Sequence, residues 1–287
     1  MAAAYNQRGM TRDENMAALP STDSQMPSAS LLRVPGWERE QEWLWHGFST
    51  RLGGVSEVYG RAGDLNLGFT GEDDAERVRE NRRRLVEQAT GDGAVPLVGI
   101  RQIHSGEVVV LRGDLPLWSE APSADGILSD GSGVLVAVQT ADCIPVLVAD
   151  PEHRAVGAFH AGWRGTVAGI VEKGIAAMQA AYGSRPEQLL AAIGPGIGGC
   201  CYAVGEELLR AFVARSAGAE SCFRRAGGEM FLDLTEANRR QLLEAGVDAA
   251  RIAEVGGCTR CQPERFFSYR GQQGRTGRMM SVIGRRQ

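Results

Sequence analysis

Residues 134–150 read VLVAVQTADCIPVLVAD, two apolar runs rich in valine interrupted by the segment from Thr140 to Pro145. β-Branched side chains suit a pleated surface, and short apolar runs on either side of a polar, proline-containing break read as two buried strands. The pattern continues outward in both directions. PLVGIRQIHSGEVVVL (96–111) has β-branched runs flanking His104, LLAAIGPGIGGCCYAVG (189–205) is a strand that breaks into a glycine-rich loop, and 252–284 reads as strand, irregular loop and final strand. Farther upstream, HGFSTRLGGVSEVYG (46–60) is a short strand followed by a turn at Gly53 and Gly54.

Helical patterns lie between these strands. DDAERVRENRRRLVEQA (73–89) sets Val78, Leu85 and Val86 as a thin apolar stripe under heavy charge, which predicts an amphipathic surface helix with Arg82, Arg83 and Arg84 on its solvated face. A helix is expected from about Thr166 to Tyr182, with Val167, Ile170, Val171, Ile175 and Met178 on one face. Further helices are expected in GEELLRAFVARS (205–216) and in FLDLTEANRRQLLEAGV (231–247), the latter starting at Asp233 or Thr235 and stopping at Gly246. The fold class is mixed α/β. The alternation is too irregular for a doubly wound parallel sheet, and no nucleotide-binding GxGxxG follows a strand in the setting such a site requires.

The chain has 287 residues, 43% of them hydrophobic, enough to bury a sizeable core. From Met1 to about Ser30 it is polar without apolar periodicity and reads as a disordered extension, leaving 31–287 as a single catalytic domain. Lys plus Arg number 31 against 35 Asp plus Glu, a net charge of −4, so no overall basic field exists to hold a nucleic acid. No apolar run approaches the roughly 20 residues of a membrane helix, and the basic-then-apolar order of a signal peptide is missing. A cytoplasmic protein is therefore expected. Six cysteines are too few for a disulfide framework in a chain of this length, which favours ligand or catalytic roles.

Three residues stand out: His104 in RQIHSG, Cys143 in QTADCIPVLVAD and His160 in GAFHAGWRGT. Two imidazoles and a thiolate make a ligand set for a transition metal, zinc above all, and three protein ligands leave a fourth position for water or substrate. Asp142 is placed to orient a ligand imidazole or to take a proton. Two other readings use the same residues. The histidines could be satisfied core residues beside a small buried thiol, or Cys143 could be a nucleophile with His160 as its base, as in thiol hydrolases. His104 tilts the balance toward metal.

FSTRLGGVS (48–56), RQIHSGEVV (101–109), ADGILSD (124–130), TADCIPVLV (140–148), HAGWRGT (160–166), IGPGIGGCCYAVG (193–205), LDL (232–234) and FFSYRGQQGRTGR (266–278) occur in this order. Together, over about Trp45 to Gly284, they resemble the laccase-domain family, also called polyphenol oxidases and now described as zinc-dependent purine nucleoside phosphorylases. The resemblance implies packed β-sheets flanked by helices, similar to the cysteine hydrolase fold of the cytotoxic-necrotizing-factor type. It implies zinc ligands at His104, Cys143 and His160, and phosphorolysis of adenosine, inosine, guanosine or methylthioadenosine with some adenosine deamination. A bacterial branch is described instead as editing peptidoglycan precursors.

Two of these implications can be checked against the residues. The chain has only His46, His104, His153 and His160 and no HxH pair, so a four-copper oxidase centre cannot be assembled. It also lacks the H-x-E and P-C-x-x-C elements of cytidine-deaminase zinc sites, so any deamination needs another geometry, with Asp142 as the acidic group managing protons.

Phosphorolysis requires an anion site and a base site. Arg51 in STRLGG and Arg164 in HAGWRG are candidates for phosphate, since guanidinium forks bind it bidentately, and Tyr269 is the aromatic candidate to face a purine. The loop with Gly194, Gly196, Gly198 and Gly199 is either an anion-cradling nest or a tight turn. Cys258 and Cys261 form a lone CxxC, read as partly buried free thiols unless the fold brings Cys200 and Cys201 beside them. The expected function is a zinc-dependent purine nucleoside phosphorylase whose partners are a purine nucleoside and phosphate. The alternatives are an amidase of cell-wall precursors using Cys143 and His160, and a metal-binding regulatory module without turnover.

Overall fold

A computed structural model describes residues 30–112 and 120–287. In chain order the first half comprises β1 (Leu31–Leu32), α1 (Trp37–Glu40), β2 (Leu44–Ser49), β3 (Leu52–Ser56), α2 (Ala75–Thr90), β4 (Leu97–Gly99), β5 (Val108–Leu111), β6 (Gly126–Ser129) and β7 (Val134–Thr140). Next come β8 (Ile144–Asp150), β9 (Ala155–Ala161), α3 (Trp163–Val167), α4 (Ile170–Tyr182), β10 (Leu190–Ile193), β11 (Ala203–Val204) and α5 (Glu206–Arg215). The chain closes with β12 (Phe223–Ala226), β13 (Glu229–Leu232), α6 (Leu234–Glu244), β14 (Ile252–Glu254) and β15 (Met279–Arg285).

The strands form a five-stranded sheet in the order β1-β2-β15-β7-β4, a six-stranded sheet in the order β14-β10-β8-β9-β6-β5, and a small β11-β13-β12 sheet. The first two pack face to face. Phe48, Val136, Val138 and Ile283 from one meet Ile127, Leu147, Val156, Ala158 and Ala192 from the other in a shared apolar core. On the outer face of the six-stranded sheet, Val146, Val148 and Phe159 pack against Ile170, Val171, Ile175 and Met178 of α4 and Leu242 of α6. On the outer face of the five-stranded sheet, Leu135, Ala137 and Val282 pack against Leu85, Val86 and Ala89 of α2. Two helix-covered sheets back to back explain why 134–138 and 144–150 are apolar at nearly every position: both faces of these strands are buried.

The expected helices are present. Asp74 caps α2 by accepting from the Glu76 amide at 2.7 Å, and Asp233 caps α6 by accepting from Glu236 N at 3.0 Å. The helix expected over 166–182 is instead two helices, because Gly169 lies in the left-handed region at φ 73° and interrupts the regular turn between α3 and α4. The extension expected over 1–30 lies, apart from Ser30, outside the described residues. The Ser30 carbonyl accepts from Thr50 N at 2.8 Å. No described helix is long and apolar enough to cross a membrane.

Sheet-to-sheet crossings position the functional residues. β7 belongs to the five-stranded sheet and β8 to the six-stranded one, so Ala141, Asp142 and Cys143 form the corner where the chain changes layer. The connection from β4 to β5 makes the same crossing and carries His104. His160, on β9, lies opposite Pro145 of β8, two residues beyond Cys143.

The closeness of α4 to β9 depends on Gly174. A methyl group there would fall 2.3 Å from the ring of Phe159, which is fully buried. Overpacking of this kind costs about 1–3 kcal/mol, against a helix-propensity gain of up to about 1 kcal/mol for glycine to alanine. Gly174→Ala is therefore expected to destabilise the protein by about 1–2 kcal/mol despite the better helix former. A fall in the thermal unfolding midpoint checks this, and an unchanged or raised midpoint would refute it.

Candidate metal centre

His104, Cys143 and His160 bring two ring nitrogens and a sulfur within 4.8 Å of one another. Cys143 Sγ lies 4.0 Å from His104 Nε2, close to the about 3.6 Å expected of sulfur and nitrogen on one tetrahedral zinc. The two imidazoles meet edge to face at 4.8 Å between ring centres. His104 is exposed, Cys143 half-buried and His160 buried, so the set runs from solvent to core.

Asp125, buried just before β6, organises two of the three. It accepts the His160 Nδ1–H at 2.8 Å, which fixes the tautomer and leaves Nε2 free for a ligand. The same carboxylate accepts from the backbone amides of Ile103, His104 and Ser105 and from the Ser105 hydroxyl. It thus holds the His104 loop and the His160 ring at once. His104 sits in that loop at φ 59° and Asp142 at φ 89°. Such non-glycine strain costs about 1–3 kcal/mol per residue and persists where the surroundings over-determine it. Gly162 leaves room beside the ligands, since a Cβ there would lie 2.9 Å from Cys143 Sγ and 3.1 Å from the His104 ring.

The electrostatics favour an anionic sulfur. Burial alone would raise the Cys143 thiol, but the charge of His160 and the hydrogen bonds of His104 and His160 outweigh it and bring it down to about 6. Burial would likewise lower His160, but the Cys143 charge and the Asp125 hydrogen bond lift it to about 9. Asp125, despite its burial, is brought down to about 2 by His160 and Ser105. Without metal this is a thiolate, imidazolium and carboxylate in series. The thiolate is already in its ligating form, whereas His160 must give up its Nε2 proton before that nitrogen can hold a metal.

His104, Cys143 and His160 line a cleft of about 700 Å³ together with Arg101, Arg164, Arg270, Arg278, Trp163, Tyr202 and Tyr269. Arg164 is exposed, stacks on Trp163 at 4.3 Å and makes no ion pair among the described residues. Tyr269 is 51% exposed. Both sequence candidates therefore face the cleft.

Arg51 does not, and its expected role in phosphate binding is withdrawn. Its guanidinium is buried, paired with both oxygens of Asp64, and donates further to the carbonyls of Tyr59 and Pro263. Asp142 lines the cleft but neither orients an imidazole nor stands free for proton transfer. Its carboxylate accepts from Thr259 Oγ1 and from the Arg270 amide, each at 2.6 Å, so it braces two loops against the corner. The orienting carboxylate is Asp125, which lies within ADGILSD and was not singled out from the sequence. Arg270 and Arg278 lie within FFSYRGQQGRTGR and were not assigned a role from it. The other two histidines stay apart: His46 Nε2 accepts from the Val34 amide, and His153 pairs with Asp150 at 2.8 Å. Among the described residues no cluster with the paired histidines of a multi-copper centre exists.

The electrostatic coupling has a measurable signature. In protein stripped of metal by chelation, alkylation of Cys143 by iodoacetamide should rise with pH through a midpoint near 6, because the thiolate is the reactive form. Asp125→Asn removes the counter-charge of the imidazolium and should move that midpoint up toward the ordinary thiol range. An unchanged midpoint in the variant would show that Asp125 does not support the pair.

Comparison with known proteins shows the family. A family described as multi-copper polyphenol oxidoreductase laccase matches residues 45–286. The chain is 40% identical to a purine nucleoside phosphorylase of Deinococcus radiodurans over 90% of this chain and 94% of that protein. It is 38% identical to purine nucleoside phosphorylase YfiH of Escherichia coli K12 over 88% and 98% respectively. The crystal structure of YlmD from Geobacillus stearothermophilus superposes with a TM-score of 0.80 at 34% identity, covering 92% of this chain and 98% of that one. The chain therefore belongs to the laccase-domain family, among relatives named purine nucleoside phosphorylases.

Proposed function

We propose that this protein is a zinc-dependent purine nucleoside phosphorylase that cleaves adenosine, inosine, guanosine or methylthioadenosine with phosphate and deaminates adenosine as a secondary activity. The observation that carries the reading is the convergence of His104, Cys143 and His160 in a cleft that also holds four arginines and an exposed tyrosine. The names of the relatives support the substrate class. Zinc is favoured by the donor set of two imidazoles and one thiolate, and when bound it supplies a Lewis acid that stabilises negative charge developing in the reaction.

The residues divide the remaining work. Phosphorolysis joins a phosphate oxygen to C1′ of the ribose while the C1′–N9 bond breaks, and its electron pair leaves with the purine, which then takes up a proton. Arg164 is the principal phosphate ligand, because among the described residues its guanidinium donates no hydrogen bond, whereas Arg101 already donates to Ser123 Oγ and Arg270 and Arg278 to backbone carbonyls. Holding the anion beside C1′ removes translational freedom from the bimolecular step. Tyr269 offers a ring face to the purine, and Trp163 fixes the Arg164 guanidinium by stacking. Asp125 keeps the His160 ring oriented throughout.

One observation favours a second reading. Cys143, His160 and Asp125 are linked in the order of a thiol hydrolase, nucleophile to base to orienting carboxylate. In that reading Cys143 attacks an amide of a cell-wall precursor, His160 protonates the leaving amine, and no metal is required.

Metal content and product analysis separate the two. With inosine and phosphate, ribose 1-phosphate and hypoxanthine should form together, cease on chelation and return with added zinc. Adenosine without phosphate should give inosine and ammonia. Turnover that survives chelation, or that persists in His160→Ala, would sink the phosphorylase reading. Arg164→Ala should raise the KM for phosphate about 10- to 100-fold, the equivalent of one charge-assisted hydrogen bond at about 1.5–3 kcal/mol. An unchanged phosphate KM would remove Arg164 from the site.

A further inference from the structure

Two pairs of cysteines that are far apart in sequence meet outside the cleft. Cys200 and Cys201 end the glycine-rich loop after β10, and Cys258 and Cys261 lie in the turn after β14. All four sulfurs lie within 4.8 Å of one another, with Cys261 Sγ at 3.6 Å from Cys200 and 3.3 Å from Cys201. Four sulfurs on a tetrahedral zinc at about 2.3 Å stand about 3.8 Å apart. The lone CxxC of the sequence has found its second half.

The surroundings fit a bound cation held by thiolates. The Gly198 amide donates to Cys258 Sγ at 3.3 Å, an interaction that favours an anionic sulfur. Gly198 also makes space, since a Cβ there would lie 3.2 Å from Cys258 Cβ and 3.3 Å from Cys200 Sγ. Four thiolates on a divalent ion leave a net charge of −2. Arg224 and Arg260 reach into the cysteine loop, donating to the carbonyls of Gly199 and Cys201, and place positive charge where it offsets that excess.

We propose that Cys200, Cys201, Cys258 and Cys261 form a second metal site, a closed tetrathiolate zinc centre with a structural role. Four protein ligands leave no open position, so the site fixes loops and performs no chemistry. Besides the cysteines, the loops it joins are linked by the bridge between Gly196 and Cys258, the Thr259 N–H to Gly196 carbonyl bond and the Arg260 guanidinium on the Cys201 carbonyl. Both reach the cleft: Ile197 and Tyr202 line it, and Thr259 holds Asp142 at the corner beside Cys143. The second centre braces one wall of the first without sharing a ligand with it.

The test is zinc stoichiometry of the untagged full chain, purified under reducing conditions and measured by elemental analysis and native mass spectrometry. Wild-type protein should hold two zinc ions, His160→Ala one, and the double variant C258S/C261S one fewer than wild type. Should the first site hold no metal, the counts become one, one and zero, so failure of the phosphorylase reading leaves this proposal separately decided. The His160→Ala protein, in which the cysteine site is intact, should give the intense sulfur-to-metal charge-transfer band of tetrahedral thiolate cobalt when loaded with cobalt(II). Its four cysteines should resist iodoacetamide until a strong chelator is added. This arm decides the matter even if the double serine variant does not fold. No zinc in His160→Ala with all four thiols freely alkylated, or a mass lower by two hydrogens per bond from disulfides among the four, would overturn the proposal.

Discussion

One buried carboxylate holds the site together. Asp125 receives three consecutive backbone amides and a serine hydroxyl from the His104 loop and the imidazole of His160 from β9, so it ties two of the three candidate ligands together. A carboxylate in the interior is tolerated only when its lone pairs are filled, and these donors fill them. The consequence reaches both ways. The loop that presents His104 is bent into a left-handed turn because the carboxylate gathers its amides, and the His160 ring is turned so that its second nitrogen faces Cys143.

Around that interaction, the sandwich determines where chemistry is possible. The central strands β8 and β9 are buried along their whole length and leave no solvent-facing positions, so polar work near them is confined to the places where the chain leaves one layer for the other. His104 and Cys143 sit at two such crossings, and His160 sits where β9 ends beside them. Strain at His104 and Asp142 is retained there by Asp125 on one side and by Thr259 and the Arg270 amide on the other. Arg51 performs a comparable task elsewhere, closing the turn after β2 on Asp64 and the segment at Pro263.

Much of this was legible before the fold was known, and the limits have physical causes. The convergence of His104, Cys143 and His160 could be anticipated because histidine and cysteine inside glycine- and proline-bearing breaks have few packing explanations. Strands and helices could be read from runs and caps, but not the division of strands between two sheets, since a strand apolar on both faces carries no alternation to say which neighbour it has. Arg51 was misassigned because a guanidinium beside glycines looks alike whether it awaits phosphate or is saturated by an aspartate 13 residues on. Asp125 was passed over because an acidic residue before a strand has many ordinary roles. The cysteine quartet was invisible as a unit because about 60 residues separate its halves, and the parallel pairing of β10 with β14, continued by the Gly196–Cys258 bridge, brings them together.

The position of β15 bears on how the protein is made. It is the central strand of the five-stranded sheet, paired on one side with β2 and on the other with β7, yet it comes last of all the strands in the chain. During vectorial synthesis the ribosome releases β2 and β7 long before the segment that joins them, so that layer must wait with two unpaired edges. The cores on either face of the sheet wait with it, and the nascent chain is expected to remain open to chaperones until residues 279–285 emerge and insert.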